Sequence, residues 1–157
     1  MPEQWLSDAL LAMLCGTGAV LDIRCRRLPN WLCALGLASG LGVALAHGGF
    51  AMAGSALVHA AVALVVGMGL FALGAIGGGD AKFYAALAAW FPLAHGFLLA
   101  MGIALSGLLL LAVWFPMSRR VMRANVNIPA DSAFRKMPYG VAIALGAIVA
   151  SLLVPST

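Results

Sequence analysis

Charge is what this chain has least of. Only 9% of its 157 residues are Asp, Glu, Lys or Arg, and five side chains in all are acidic. Soluble domains carry roughly a quarter charged residues, so this composition excludes one. The chain also lacks alternation of apolar and polar residues, which excludes a closed membrane barrel. Its three cysteines, Cys15, Cys25 and Cys33, have no CxxC spacing. That argues against a zinc ribbon or a disulfide framework and leaves isolated structural thiols. His47, His59 and His95 share no metal-ligand spacing, so no metal and no cofactor is expected. No Lys or Arg precedes Arg24. The first apolar run is therefore not expected to be a cleavable signal peptide; it is expected to stay, with its N-terminus outside. No internal repeat is visible.

What is present is apolar length. Hydrophobic residues make up 64% of the chain and mean hydropathy is +1.05. The runs are continuous, rich in Ala, Leu and Gly, and long enough for helices of ~20 residues to cross a bilayer. The expected fold is an all-α integral membrane protein, one domain over residues 1–157. Six transmembrane helices are predicted, at about 5–21, 31–46, 52–76, 81–91, 97–115 and 139–154. The fourth stops at Pro92, where a helix loses a backbone donor.

The nine Lys and Arg residues give a net charge of +4, but their distribution is not that of a nucleic-acid binder. Arg24, Arg26 and Arg27 follow the first run. Arg119, Arg120, Arg123, Arg135 and Lys136 follow the fifth. Two basic loops between apolar runs read as cytoplasmic loops, with anionic lipid headgroups as partner. Six helices then put both termini outside. The turns at 47–49 and 92–96 also fall outside. Part of 117–137 is expected to lie on the membrane surface as a basic helix or to form a solvated loop.

Against this background two acids stand out. Asp22 closes the first run, and Asp80 ends Gly77-Gly78-Gly79-Asp80 at the start of the fourth. The charge pattern puts both at the cytoplasmic ends of their helices, on helices expected to be neighbours. A carboxylate near lipid is costly to keep. Taken singly, Asp80 reads as an ordinary helix cap and Asp22 as an interfacial polar residue. Taken as a pair they can share a proton: the charged one draws a proton from water, the protonated one donates to a peptide carbonyl. Such a pair titrates as a unit. Asp80 is expected to hold the proton more often, and Asp22, beside a basic loop, to be the wetter. Gly77 to Gly79 are expected to loosen the backbone, through positive φ and close approach, so that an extended substrate can pair with it.

Asp22, Arg26, Arg27, Leu28, Pro29 and Asn30, then Gly77-Gly78-Gly79-Asp80-Ala81-Lys82, then Pro138-Tyr139-Gly140, together resemble the type IV prepilin peptidases. These are intramembrane aspartic proteases of the GxGD type. The likeness is nearest to the short single-domain forms of tight-adherence (Flp-type) pilus systems. The resemblance implies that Asp22 and Asp80 are the catalytic pair. Gly77, Gly78, Gly79, Lys82, Pro138, Tyr139 and Gly140 are expected to position the substrate. It implies cleavage of a short basic leader, usually after a glycine, from a membrane-inserted prepilin at the inner-membrane face. Lys82 or Arg24 is a candidate partner for an acidic residue beyond the cut. Long bifunctional members also carry a domain with paired CxxC motifs and methylate the new terminus. This chain lacks that insertion, so neither methyltransferase activity nor zinc is expected. The alternatives are a GxGD protease with a non-pilin substrate, a proton-coupled transporter, or a non-catalytic assembly scaffold. A transporter usually places its acids near the midplane, often within inverted repeats.

Overall fold

A computed structural model describes residues 2–124 and 137–154, and everything regular in it is helical. Helix α1 spans Pro2–Cys25, α2 Asn30–Ala72, α3 Gly78–Ala88, α4 Gly96–Ala124 and α5 Tyr139–Leu153, with a 3₁₀ turn at Leu93–His95 before α4. Three stretches are long and apolar enough to cross a membrane: Trp5–Cys25, Asn30–Ala72 and Leu93–Arg120. Large apolar side chains such as Leu10, Met13, Val65, Leu105 and Leu109 are exposed along them. Water would not tolerate so much contiguous apolar surface on a monomer; hydrocarbon would.

Helix α2 has 43 residues, ~65 Å of helix against a hydrocarbon core of ~30 Å. It is broken where a turn was expected. Gly48 and Gly49 leave helical geometry, Gly49 at φ 62, a conformation that glycine adopts at little steric cost. The two limbs then run in opposite directions along α3. On the first limb Asn30 meets Lys82, and Gly36 and Gly40 face Ala86, Ala89 and Trp90. On the second limb the order is reversed: Gly67 faces Ala81, His59 meets Phe91 and Ser55 meets Leu93.

Those contacts explain the small residues. A Cβ on Gly40 would come within 2.7 Å of the Trp90 ring. The Trp90 indole N–H donates to the Gly36 carbonyl at 2.9 Å. The Gly36–Gly40 spacing thus lets α3 lie close to α2. At the far end His59, 3% exposed, donates from Nδ1 to the Phe91 carbonyl at 2.9 Å.

Helix α3 is the central pillar. Its 11 residues present buried side chains in nearly every direction, including Ala81, Phe83, Ala85, Ala86, Leu87 and Ala88. It packs chiefly on α2, while α5 packs on α4 and α1. Helix α1 meets α3 at Phe83. The Phe83 ring lies on Gly18, where a Cβ would come within 2.4 Å of Cζ.

Three boundaries differ from the sequence reading. The predicted third helix was to run to 76 and unwind through Gly77 to Gly79. Instead α2 ends at Ala72, the turn uses Gly74 at φ 73, and Gly78 and Gly79 belong to the first turn of α3. The predicted fifth helix was to end at Phe115. Instead α4 continues through Pro116 to Ala124, taking Arg119 and Arg120 onto the helix, where the Arg119 guanidinium lies 4.1 Å from the Phe115 ring centre. A proline removes one helical hydrogen bond and strains the preceding turn, yet the helix resumes beyond it. Lastly, Asp22 lies one turn inside α1, not at its end. The rest of the second basic loop, including Arg135 and Lys136, lies outside the described residues.

Candidate active site

Asp22 and Asp80 line one cavity of about 480 Å³. Its other walls are Arg26 to Asn30 from the α1–α2 loop and Gly77 to Gly79 from the α3 start. Gly79 sits against Leu28, with a hypothetical Cβ 3.5 Å from that residue's Cβ. The absence of a side chain there helps the loop and the turn close around the two acids.

The two carboxylates are held differently. Asp22 is 6% exposed, and its Oδ2 accepts the backbone N–H of Gly140 at 2.8 Å, across 118 residues of chain. Pro138 precedes α5 as its cap residue, so the Gly140 N–H belongs to the first turn, where helical N–H groups lack an internal partner. A Cβ on Gly140 would lie 2.9 Å from Cβ and 3.0 Å from Cγ of Asp22. The helix start therefore approaches the acid this closely only as glycine.

Asp80 is held locally. At the third position of α3 its Oδ2 accepts the Gly77 N–H at 3.2 Å, the return half of a capping box. Asp80 is only half-buried and lies ahead of the apolar part of α3, outside the three long apolar stretches. Its pKa is pushed up to about 6, first by burial and then by the charge of Asp22, against the opposing Gly77 hydrogen bond. The expectation that Asp22 would be the wetter acid is therefore reversed. Its position inside α1, under the start of α5, covers it, whereas Asp80 opens onto the cavity.

The remaining sequence candidates divide. Gly77, Gly78 and Gly79 line the cavity, but as a helix start; none has a positive φ, because Asp80 caps that turn. Gly140 lies against Asp22. Lys82 projects elsewhere: its Nζ donates to Asn30 Oδ1 at 3.0 Å, and it borders a separate apolar groove between the limbs of α2. Tyr139 lines another apolar cavity, with Tyr84, Ile76 and Met137. Two contributors had no distinguishing signal in the sequence. Gly18 is one glycine among 19. Trp114 lies in an ordinary apolar run, yet the Arg26 guanidinium sits over its ring, 5.0 Å from the centre. Among the described residues, no group of three or more His, Cys, Asp and Glu could hold a metal ion.

This arrangement gathers what peptide hydrolysis needs. It offers two interacting carboxylates, a cavity that admits water, and cationic side chains at the rim. The model of the type IV leader peptidase family matches residues 9–117, which include both aspartates and the whole cavity wall. The chain belongs to the type IV leader peptidase family. It is therefore a peptidase of that kind, and its apolar helices suit a membrane location. Gly140 lies beyond the matched residues, although it touches the site. No curated protein and no solved structure matches the chain.

Proposed function

We propose that this leader peptidase is an aspartic endopeptidase that removes the short basic leader of type IV, Flp-like prepilins at the cytoplasmic face of the bacterial inner membrane. The observation that carries the reading is the shared cavity: Asp22 and Asp80, 58 positions apart, open onto one space. With Asp80 raised to about 6 by burial and by its neighbour, the pair carries one proton over a useful pH range. Asp22 accepts an N–H from Gly140, a bond that a charged oxygen makes best. Asp80 is then the acid and Asp22 the base.

In the first step Asp22 takes a proton from a water held between the carboxylates. The water oxygen bonds to the scissile carbonyl carbon while Asp80 protonates the carbonyl oxygen. In the second step the gem-diol collapses, the C–N bond breaks, and the leaving nitrogen takes up the proton from Asp22. One gem-diol hydroxyl returns its proton to Asp80. The dyad is restored, and no cofactor takes part.

The cytoplasmic orientation is supported by charge. Arg24, Arg26 and Arg27 follow Asp22 in sequence, and Arg26 contacts Trp114 of α4, whose following turns bear Arg119 and Arg120. Cations thus gather at the aspartate end, as cytoplasmic faces require. In this reading both limbs of α2 cross the membrane, α3 and α5 complete six passes, and both termini lie outside. Gly77 to Gly79, Pro138 and Tyr139 flank the substrate path, and anionic headgroups surround the basic end.

Co-expression with a candidate prepilin, followed by gel shift and mass spectrometry of the released leader, tests this. Asp22→Asn and Asp80→Asn should each slow cleavage by roughly 10²–10⁴-fold, the usual worth of general acid–base catalysis, while the protein stays in the membrane. Cleavage at the normal rate by either variant sinks the dyad. Proton flux without any cleavage would mark the transporter instead.

A further inference from the structure

Arg26 is the least satisfied polar side chain at the site. Its Nε and Nη1 are enclosed, and no described residue accepts a hydrogen bond from either. A buried cationic donor without an acceptor is costly. Its backbone is strained as well: Arg26 has φ 52, the one positive value among described non-glycine residues. That conformation follows from its place just past the last turn of α1, where its N–H donates to the Asp22 carbonyl at 3.0 Å. The guanidinium rests on Trp114, which orients its plane without using any N–H. The side chain also borders the aspartate cavity, yet makes no ion pair with Asp22 or Asp80 among the described residues. Two nitrogens of a planar guanidinium thus stand next to the reacting acids without an acceptor among the described residues.

We propose that Arg26 binds the carboxylate that cleavage leaves at the end of the leader. The inference rests on the leader-peptidase reading above. A leader is the N-terminal piece, so the new carboxyl group is its C-terminus. Hydrolysis creates that group within the cavity, and at neutral pH it ionises beside a dyad that already carries negative charge. Two parallel N–H groups of a guanidinium match a carboxylate better than any other side chain. Before the cut the same donors meet the scissile carbonyl less strongly, because it carries no full charge. Rotation of the side chain on the Trp114 ring turns one edge of the guanidinium to the cavity, either Nη1–H with Nη2–H or Nε–H with Nη2–H, so that the carboxylate supplies an acceptor to one of the two nitrogens that lack it.

The test uses the leader that the wild-type enzyme releases, synthesised with a C-terminal carboxylate or a C-terminal amide, as inhibitors of cleavage by the full-length enzyme in detergent. Wild type should be inhibited about ten-fold better by the carboxylate, in line with a charge-assisted pair. In Arg26→Gln the preference should fall to within about two-fold. In Arg26→Lys, which keeps the charge but loses the fork, it should be intermediate. Arg120→Gln, which removes an exposed cation outside the cavity wall, should keep it. Equal inhibition of wild type by both peptides overturns the inference without need of any variant. So does an unchanged preference in Arg26→Gln, or its loss in Arg120→Gln alone. A wild type that cleaves no prepilin is a different result, and that one overturns the leader-peptidase reading itself.

Discussion

Helix α1, one turn from its end, and the start of α3 each present one aspartate to the same cavity, yet they hold it by opposite means. Asp80 is fixed within its own turn, by the N–H of Gly77 three residues before it. Asp22 is fixed from the far end of the chain, by the N–H of Gly140. The local arrangement leaves Asp80 half open, with a short-range bond that survives small shifts of the helices. The distant one buries Asp22 and ties its position to the packing of α5 on α1. Two chemically identical groups thus acquire different burial and different partners, which is how a carboxylate pair comes to divide acid and base roles.

Adding one methyl group at each contact should expose that difference most strongly. At position 140 a Cβ meets the inner atoms of Asp22, which cannot move without displacing α1 or α5. Gly140→Ala should therefore lower kcat about 10–100-fold, a small misplacement having that scale of effect. At position 77 the Cβ meets the end of the Asp80 side chain, Oδ2 at 2.8 Å and Cγ at 3.6 Å, and a side-chain rotation relieves it. Gly77→Ala should cost about ten-fold or less. Kinetics of the two variants on one prepilin check the ranking. A larger loss at 77 would mean that the local cap, not the distant one, sets the geometry.

pH sharpens the same comparison. Asp80 is raised to about 6, so its proton is present below that value and lost above it. If Asp80 is the acid, the cleavage rate falls as pH rises through 6 and beyond. The stability effect has the same sign: the folded pKa exceeds the unfolded one, so proton binding favours the folded state. That stabilisation is fully present below the unfolded value and is lost as pH rises through about 6. Since the charge of Asp22 is one cause of the shift, Asp22→Asn should move the Asp80 titration downward without returning it to the ordinary value, because burial remains. Infrared or carbon NMR titration of the carboxyl group reads this directly. An unmoved titration would mean that the two acids do not sense each other.

The smallest effect is expected at Lys82. It follows Asp80 by two residues but turns to Asn30 and the groove between the α2 limbs. Lys82→Ala should change cleavage by less than about three-fold, the scale of an exposed polar contact. A larger loss, appearing in KM, would support the idea that this ammonium meets an acidic residue of the substrate beyond the cut.

Much of this was legible in the residues. The turn at Gly48-Gly49 could be read because glycine twice in succession interrupts an apolar run too long for one crossing. Asp80 at a helix start could be read because its hydrogen bond is made within three residues. The end of α4 was misread because a proline and a run of arginines look like a boundary, while the helix continues past them. Lys82 was misjudged because nearness in sequence does not decide which way a helical side chain faces: positions 80 and 82 point about 200° apart around α3.

By itself the sequence determined the class of protein, an apolar helical one with two costly acids, since hydropathy, charge and local capping are properties of short segments. Only the tertiary structure decided that Gly140 holds Asp22, that Asp22 is the more covered acid, and that Arg26 rests on Trp114 with donors to spare. Each of these joins groups from different helices. Their meeting depends on how α1, α4 and α5 pack, which no single segment encodes.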